Sequence, residues 1–187
     1  MTLVADRPET MAPPAAESET KPQPAAEAEP ETGGLVIFAL SGDLERTWAT
    51  LILANAAAAM GKPVTVFYTF WGLFTLVRND AGRTGNVWMQ KMLSVMNPGG
   101  TSNLKLSKMN FMGMGPWMMH SLAKKYSVSS PQELLESARD LGVKLIPCQM
   151  TMDMMGLKRE DLIDGLEEPA GAATALAAAE GAMTLFI

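Results

Sequence analysis

A chain of 187 residues, 48% of them hydrophobic, can bury one sizeable core but is short for two domains. Its formal charge of -5 comes from the beginning of the chain: residues 1 to 32 hold seven acids against two bases, leaving 13 of each beyond them. That balance excludes a dedicated nucleic-acid surface, which needs Lys and Arg gathered on one face to neutralise phosphates.

In chain order, residues 1–33 form a Pro, Ala and Glu-rich segment of low complexity, ended by Gly33 and Gly34. It offers too little apolar surface to offset the entropy of ordering, which predicts a disordered tail. It lacks the basic and continuously apolar regions of a secretory signal, and its acids disfavour an organelle transit peptide. A cytoplasmic protein is expected. The single cysteine fits a reducing compartment, because it cannot close an internal disulfide.

Residues 34–187 read as one domain. Leu35 to Leu40 is an apolar strand, Asp43 to Met60 a helix with Ser41 or Asp43 as N-cap and Gly61 as its stop, and Val64 to Thr69 a second strand. This is a βαβ unit. A helical insertion follows at about 79–126, with one helix marked by Met89, Met92 and Met96, a break at Asn97-Pro98-Gly99-Gly100, and a second helix from Pro116 to Lys125. It reads as a lid over the strand ends or an oligomer contact. Pro131 to Leu141 is a helix closed by Gly142, Val143 to Pro147 a strand, and the residues after Cys148 the first turns of a short helix. A weak strand at Leu166 to Glu168, a helix from Gly171 to Glu180 and a strand from Met183 to Ile187 complete the chain. All strands but the weak one are nearly continuously apolar, the pattern of parallel strands covered on both faces. The predicted class is α/β: three layers, α/β/α, with a mostly parallel sheet of about five strands. The longest nearly uncharged apolar stretch, Val64 to Val77, is short of the roughly 20 residues needed to cross a bilayer, so no membrane span is expected.

Cys148 is placed at the carboxyl edge of that sheet, where open α/β folds bind ligands. A thiol at a helix N-terminus faces the positive end of the macrodipole, which favours thiolate, whereas Asp153 nearby would oppose it. The competing reading is a buried, inert cysteine acting as a small hydrophobe. Ser41 and Gly42 could present backbone N–H groups to an anion, or simply cap the helix. Thr69 and Trp71 follow the second strand and converge on the same edge; Phe70, Trp71 and Phe74 could wall a pocket or serve as core. His120, the one histidine, could act as a base or stand on an exposed helix face. Met150 lies within the Met150 to Met155 run. Sixteen methionines with one thiolate could hold Cu(I), although packing or an adaptable interface explains them too. Four closed zinc ligands are lacking, so no metal site is expected. No Gly-x-Gly-x-x-Gly, Walker loop or Gly-x-Ser-x-Gly is present, and no cofactor is expected.

The segments LIPCQMTMDMMGL and LVIFALSGDLERTWATLILANAAAAMGKPVTVFYTFWGL, with the Met-Gly-Met-Gly stretch, resemble the DsrE/DsrF/DsrH-like proteins, specifically their larger Met-rich branch often labelled peroxiredoxin-like. The resemblance covers about residues 34 to 187. It implies a parallel sheet between helices, a homo-oligomer, and relay of sulfane sulfur as a persulfide on Cys148, with TusA-like and rhodanese-like partners in sulfur oxidation or thiolation. Where such proteins use a second cysteine this chain has none. The peroxiredoxin label gains no support, because an activating Arg and Thr cannot be placed around Cys148. The alternatives are a soft-metal binding protein using the Met runs, or a non-catalytic interaction subunit with Cys148 inert.

Overall fold

The computed structural model describes residues 33–81, 84–108 and 113–187. The tail expected over 1–33 lies outside them except for Gly33, as do residues 109–112 of the Met-rich stretch. Strand β1 spans Leu35–Ala39, helix α1 Leu44–Ala59, β2 Val64–Tyr68, α2 Trp88–Met96 and α3 Met114–Lys125. Helix α4 then spans Pro131–Asp140, β3 Lys144–Pro147, α5 Gln149–Met155, α6 Ala172–Ala178 and β4 Met183–Phe186. A 3-10 segment, Phe70–Leu76, follows β2 directly.

The strands form one parallel sheet in the order β3-β2-β1-β4. Leu35 stands opposite Val64 on one side and Met183 on the other, and Thr65 stands opposite Lys144. Because successive side chains alternate between faces, Ile37, Val66 and Leu145 enter one core while Val36, Phe38, Phe67, Ile146 and Cys148 enter the other. The first core is thick, filled by Leu51 and Ala54 of α1, Leu135 and Ala138 of α4, and Met152 and Met155 of α5. The second is covered by α6 through Ala175. Every residue of β1 and β2 is buried, which is why both read as unbroken apolar runs.

Local signals account for the helix ends. Ser130 Oγ accepts the Glu133 N–H at 3.3 Å while the Glu133 carboxylate accepts the Ser130 N–H at 2.7 Å, a reciprocal cap ahead of Pro131. Gly61 and Gly142 stop their helices in the left-handed region, at φ 76 in each case. Asp43 is the N-cap residue of α1, yet its carboxylate accepts from Ser41 Oγ at 2.8 Å and faces Arg46 rather than capping the helix.

One expectation changes. Leu166 to Glu168 is not a strand, so the sheet described here has four strands instead of about five. Glu167 donates its N–H to Leu145 O and Ala170 its N–H to Pro147 O, each at 3.0 Å, but Pro169 between them has no N–H and a continuous ladder cannot form. The segment 167–170 is instead a strap along the outer edge of β3. Met89, Met92 and Met96 share one side of α2 as their spacing predicts, and all three are exposed.

Candidate functional site

Cys148 is the N-cap residue of α5, fixed on two sides by backbone bonds. Its N–H donates to Tyr68 O at 2.9 Å, extending the β3 to β2 register by one residue, and the next amide, Gln149 N–H, donates to Ala170 O of the strap at 3.0 Å. The residue is 4% exposed, packed in the cluster of Val36, Phe38, Phe67, Ile146 and Ala175, with Ala170 against it. It is the only cysteine and is unbridged.

A small polar group meets this thiol from α5 and from the end of β2. Thr151, fully buried in the first turn of α5, has its Oγ1 3.1 Å from Thr69 Oγ1 and accepts the Phe70 N–H at 3.1 Å. Phe70 adopts φ 46, an unusual conformation for a residue with a bulky side chain, as the chain turns off β2. Cys148 makes no side-chain cap bond. Burial works to raise its pKa, but the Thr151 hydroxyl and amide, the Thr69 hydroxyl and the Met150 amide gathered around it favour the ionised form, and the net effect holds the thiol below its ordinary value. Helix α5 is seven residues long, and the polar groups near the sulfur are the first-turn amides of Met150 and Thr151 together with the hydroxyls of Thr151 and Thr69. The Asp153 carboxylate accepts from Gln149 Nε2 at 2.8 Å.

The other candidate residues divide into three places. Thr69 joins Cys148. Ser41, Gly42 and Trp71 line a separate cavity of about 360 Å³ at the same sheet edge, with Asp43, Leu93, Met96, Asn97 and Lys105. The Ser41 N–H donates to Ile187 O at 3.3 Å, so that amide is already engaged and is not offered to an anion. Gly42 is explained by packing, because a Cβ there would stand 2.5 Å from Trp71 O. His120 lies elsewhere: its ring is 5.6 Å from that of Trp48, and it lines a cavity of about 530 Å³ with Ala123, Ser129 and Glu133. Met150 follows Cys148 but its side chain is exposed, whereas Met152 and Met155 are buried. Sequence reasoning missed Thr151. The one available signal was a threonine three residues after the cysteine, in the turn whose donors can reach it.

Among the described residues no helix is long and apolar enough to cross a membrane, and no three His, Cys, Asp or Glu side chains gather as a metal site.

Comparison with known proteins places this geometry in context. The solved E. coli ychN protein superposes with a TM-score of 0.52 over 83% of this chain and all of its own, at 16% identity, which is likeness of fold. In sequence, the chain is 40% identical over 157 residues to the "Uncharacterized protein YrkE" of Bacillus subtilis, spanning 84% of this chain and 98% of that protein. It is 35% identical over 156 residues to the "Sulfur carrier protein DsrE2" of Allochromatium vinosum, spanning 82% of this chain and 97% of that one. The profile of the DsrE/DsrF/DrsH-like family matches residues 31–186, and the chain belongs to that family.

Proposed function

We propose that the protein is a sulfur carrier that takes up sulfane sulfur on Cys148 and yields it to a second protein. The observation that carries this reading is the lone thiol held at the carboxyl edge of the sheet among donors that favour its ionised form. Likeness to a relative named as a sulfur carrier supports it.

In the loading step the Cys148 thiolate attacks the outer sulfur of a donor persulfide, R–S–SH. A bond forms between Cys148 Sγ and that sulfur, the donor's S–S bond breaks, and the donor leaves as R–S⁻. Cys148 then carries –S–SH, and the proton stays on the transferred sulfur. Unloading is the same exchange in reverse sense: an acceptor thiolate takes the outer sulfur and Cys148 leaves as thiolate. A thiol that ionises readily serves both steps, since it is present as the nucleophile and departs easily. With one cysteine in the chain, both exchanges are intermolecular. TusA-like and rhodanese-like proteins are the proposed partners, and a homo-oligomer the proposed assembly.

The test is intact-mass analysis after incubation with polysulfide or a persulfidated donor. The wild-type chain is expected to gain one sulfur, localised to Cys148, and Cys148→Ser to gain none. Equal loading of both chains, or none on Cys148, overturns the reading.

A further inference from the structure

The near-neutral sum of charges beyond residue 32 conceals a segregation. Residues 81–128 hold six bases, Arg83, Lys91, Lys105, Lys108, Lys124 and Lys125, and no acid, so residues 33–80 and 129–187 carry 13 acids against seven bases. Among the described residues the five lysines are exposed, and none pairs with a carboxylate. Lys105 Nζ donates to Met96 O at 3.0 Å, and Lys124 and Lys125 stand in the last turn of α3, positions that helix dipoles favour. No helix end accounts for Lys91 and Lys108, or for the absence of any acid over the segment. The same segment turns its apolar sides outward, whereas a surface helix ordinarily presents that side to the core. On α3, Met114, Trp117, Met118 and Leu122 share one side and are exposed, Trp117 by 68%, while Ala123 on the opposite side packs against Leu44, Trp48 and Leu104. On α2, Trp88, Met92 and Val95 are exposed together, while Gln90 reaches from the other side to Met154 O at 3.2 Å. Beside α3 a cavity of about 350 Å³ is lined by Leu106, Lys108, Met114, Met118 and Met119; Glu45, the carboxylate there, accepts the Ser107 N–H at 3.2 Å.

We propose that the Pro- and Glu-rich segment 1–32 of the same chain docks on the exposed, basic and apolar sides of α2 and α3. The charges match, seven acids and two bases in the segment against six bases and no acid in 81–128. So does the rest of the chemistry. Pro13, Pro14, Pro22, Pro24 and Pro30 lie among those acids, and proline-rich chains dock on exposed aromatic rings, here Trp88, Trp117 and Tyr126. The segment enters the fold at Gly33, and a coil of residues 1–32 spans on the order of 30 Å, about the width of a small domain. Tethering holds it at an effective concentration in the millimolar range, so individually weak contacts suffice. A second copy docking through the same sides would bring like charges together, and an anionic lipid surface would repel the seven acids of the segment. The inference goes beyond the sulfur-carrier reading and does not rest on it.

The experiment is carbodiimide cross-linking of the full chain at low ionic strength, read by peptide mass spectrometry. Cross-links from Glu17, Glu19, Glu27, Glu29 and Glu31 are expected to fall on Lys91, Lys108, Lys124 and Lys125 several-fold more often than on Lys62 and Lys144, which are also exposed. Lys62 lies beside the point of entry, where Leu35 N–H donates to Pro63 O at 2.9 Å, so a tethered segment that docks nowhere would mark it most. That outcome overturns the proposal. Lys124→Glu combined with Lys125→Glu is expected to reduce cross-linking at the untouched Lys91 and Lys108 several-fold, and an unchanged pattern overturns the proposal as well. If that variant fails to fold, raising the ionic strength of the wild-type sample from about 0.05 to about 0.5 M takes its place, and a pattern unmoved by salt has the same meaning. Cross-links found only between two chains assign these helices to a second copy. Their absence, with the wild-type chain sedimenting on vesicles of anionic phospholipid, assigns them to a lipid surface; either result overturns the proposal. None of these measurements needs a sulfur donor or Cys148, so their failure leaves the carrier reading standing.

Discussion

Gly72 lies against the carbonyl of Ala39 so closely that a Cβ at position 72 would overlap that oxygen. The contact closes the turn after β2 over the end of β1, where Gly72 N–H also donates to Leu40 O at 2.9 Å and Thr69 N–H to Ala39 O at 3.0 Å. Gly72→Ala is therefore expected to destabilise the fold by about 1–3 kcal/mol, the usual result of forcing atoms into a packed interior. Urea unfolding measures this. An unchanged midpoint would mean that the turn can move away from β1 freely.

The thiol links stability to pH. Its native pKa lies below the ordinary thiol value, so between the two the unfolded chain binds more protons than the folded one, and stability rises with pH in that window. The contribution is present above the unfolded value, near about 8.5, and is lost as pH falls through the native one. Under reducing conditions, wild type is expected to gain on Cys148→Ala as pH is raised across this interval. A difference independent of pH contradicts the assignment.

Tyr68 is expected to tolerate loss of its hydroxyl. The group is fully buried, and among the described residues it has no hydrogen-bond partner. Burial also pushes its ionisation above the usual phenol range. Tyr68→Phe keeps the ring and removes a desolvated polar atom, so thermal unfolding is predicted to be unchanged or to move upward. A clear loss of stability would reveal that the hydroxyl is satisfied in solution.

The strap along β3 limits access to Cys148. Ala170→Pro removes the N–H that donates to Pro147 O, and Ala170 also packs against the thiol's cluster. Loosening it is predicted to speed alkylation of Cys148 by up to about tenfold, the equivalent of one lost hydrogen bond. Timed labelling at fixed pH gives the answer; a rate unchanged from wild type would show that opening occurs elsewhere.

The parts of the fold that were legible in sequence are those written by local rules. Continuous apolar runs marked β1 to β4, and Ser130-Pro131 with Gly142 bounded α4. The strand at Leu166 to Glu168 misled because bonds to Leu145 and Pro147 exist there, while Pro169 prevents them from becoming a ladder. The spacing of Met89, Met92 and Met96 says which residues share a side of α2, not whether anything covers it. Cys148 could be placed at a sheet edge from chain order alone. Its donors could not, because Thr69 meets Thr151 across 82 positions of chain and neither hydroxyl has meaning without the other. Ser41 and His120 had suitable chemistry but sit with other neighbours, one amide engaged by Ile187 and one ring beside Trp48.

The unequal thickness of the two layers has a dynamic consequence. Among the described residues, 20 buried side chains fill the core on one side of the sheet and six fill the other, where β4 is largely exposed and Phe186 stacks on Phe38 at 5.8 Å between ring centres. Cooperative units with little buried apolar surface open at lower free energy than the whole molecule. Helix α6 and β4 should thus exchange their amide hydrogens well before β1 and β2. Each such opening uncovers the face that holds Cys148 while the thick layer stays folded, so the thiol can be bared briefly without global unfolding.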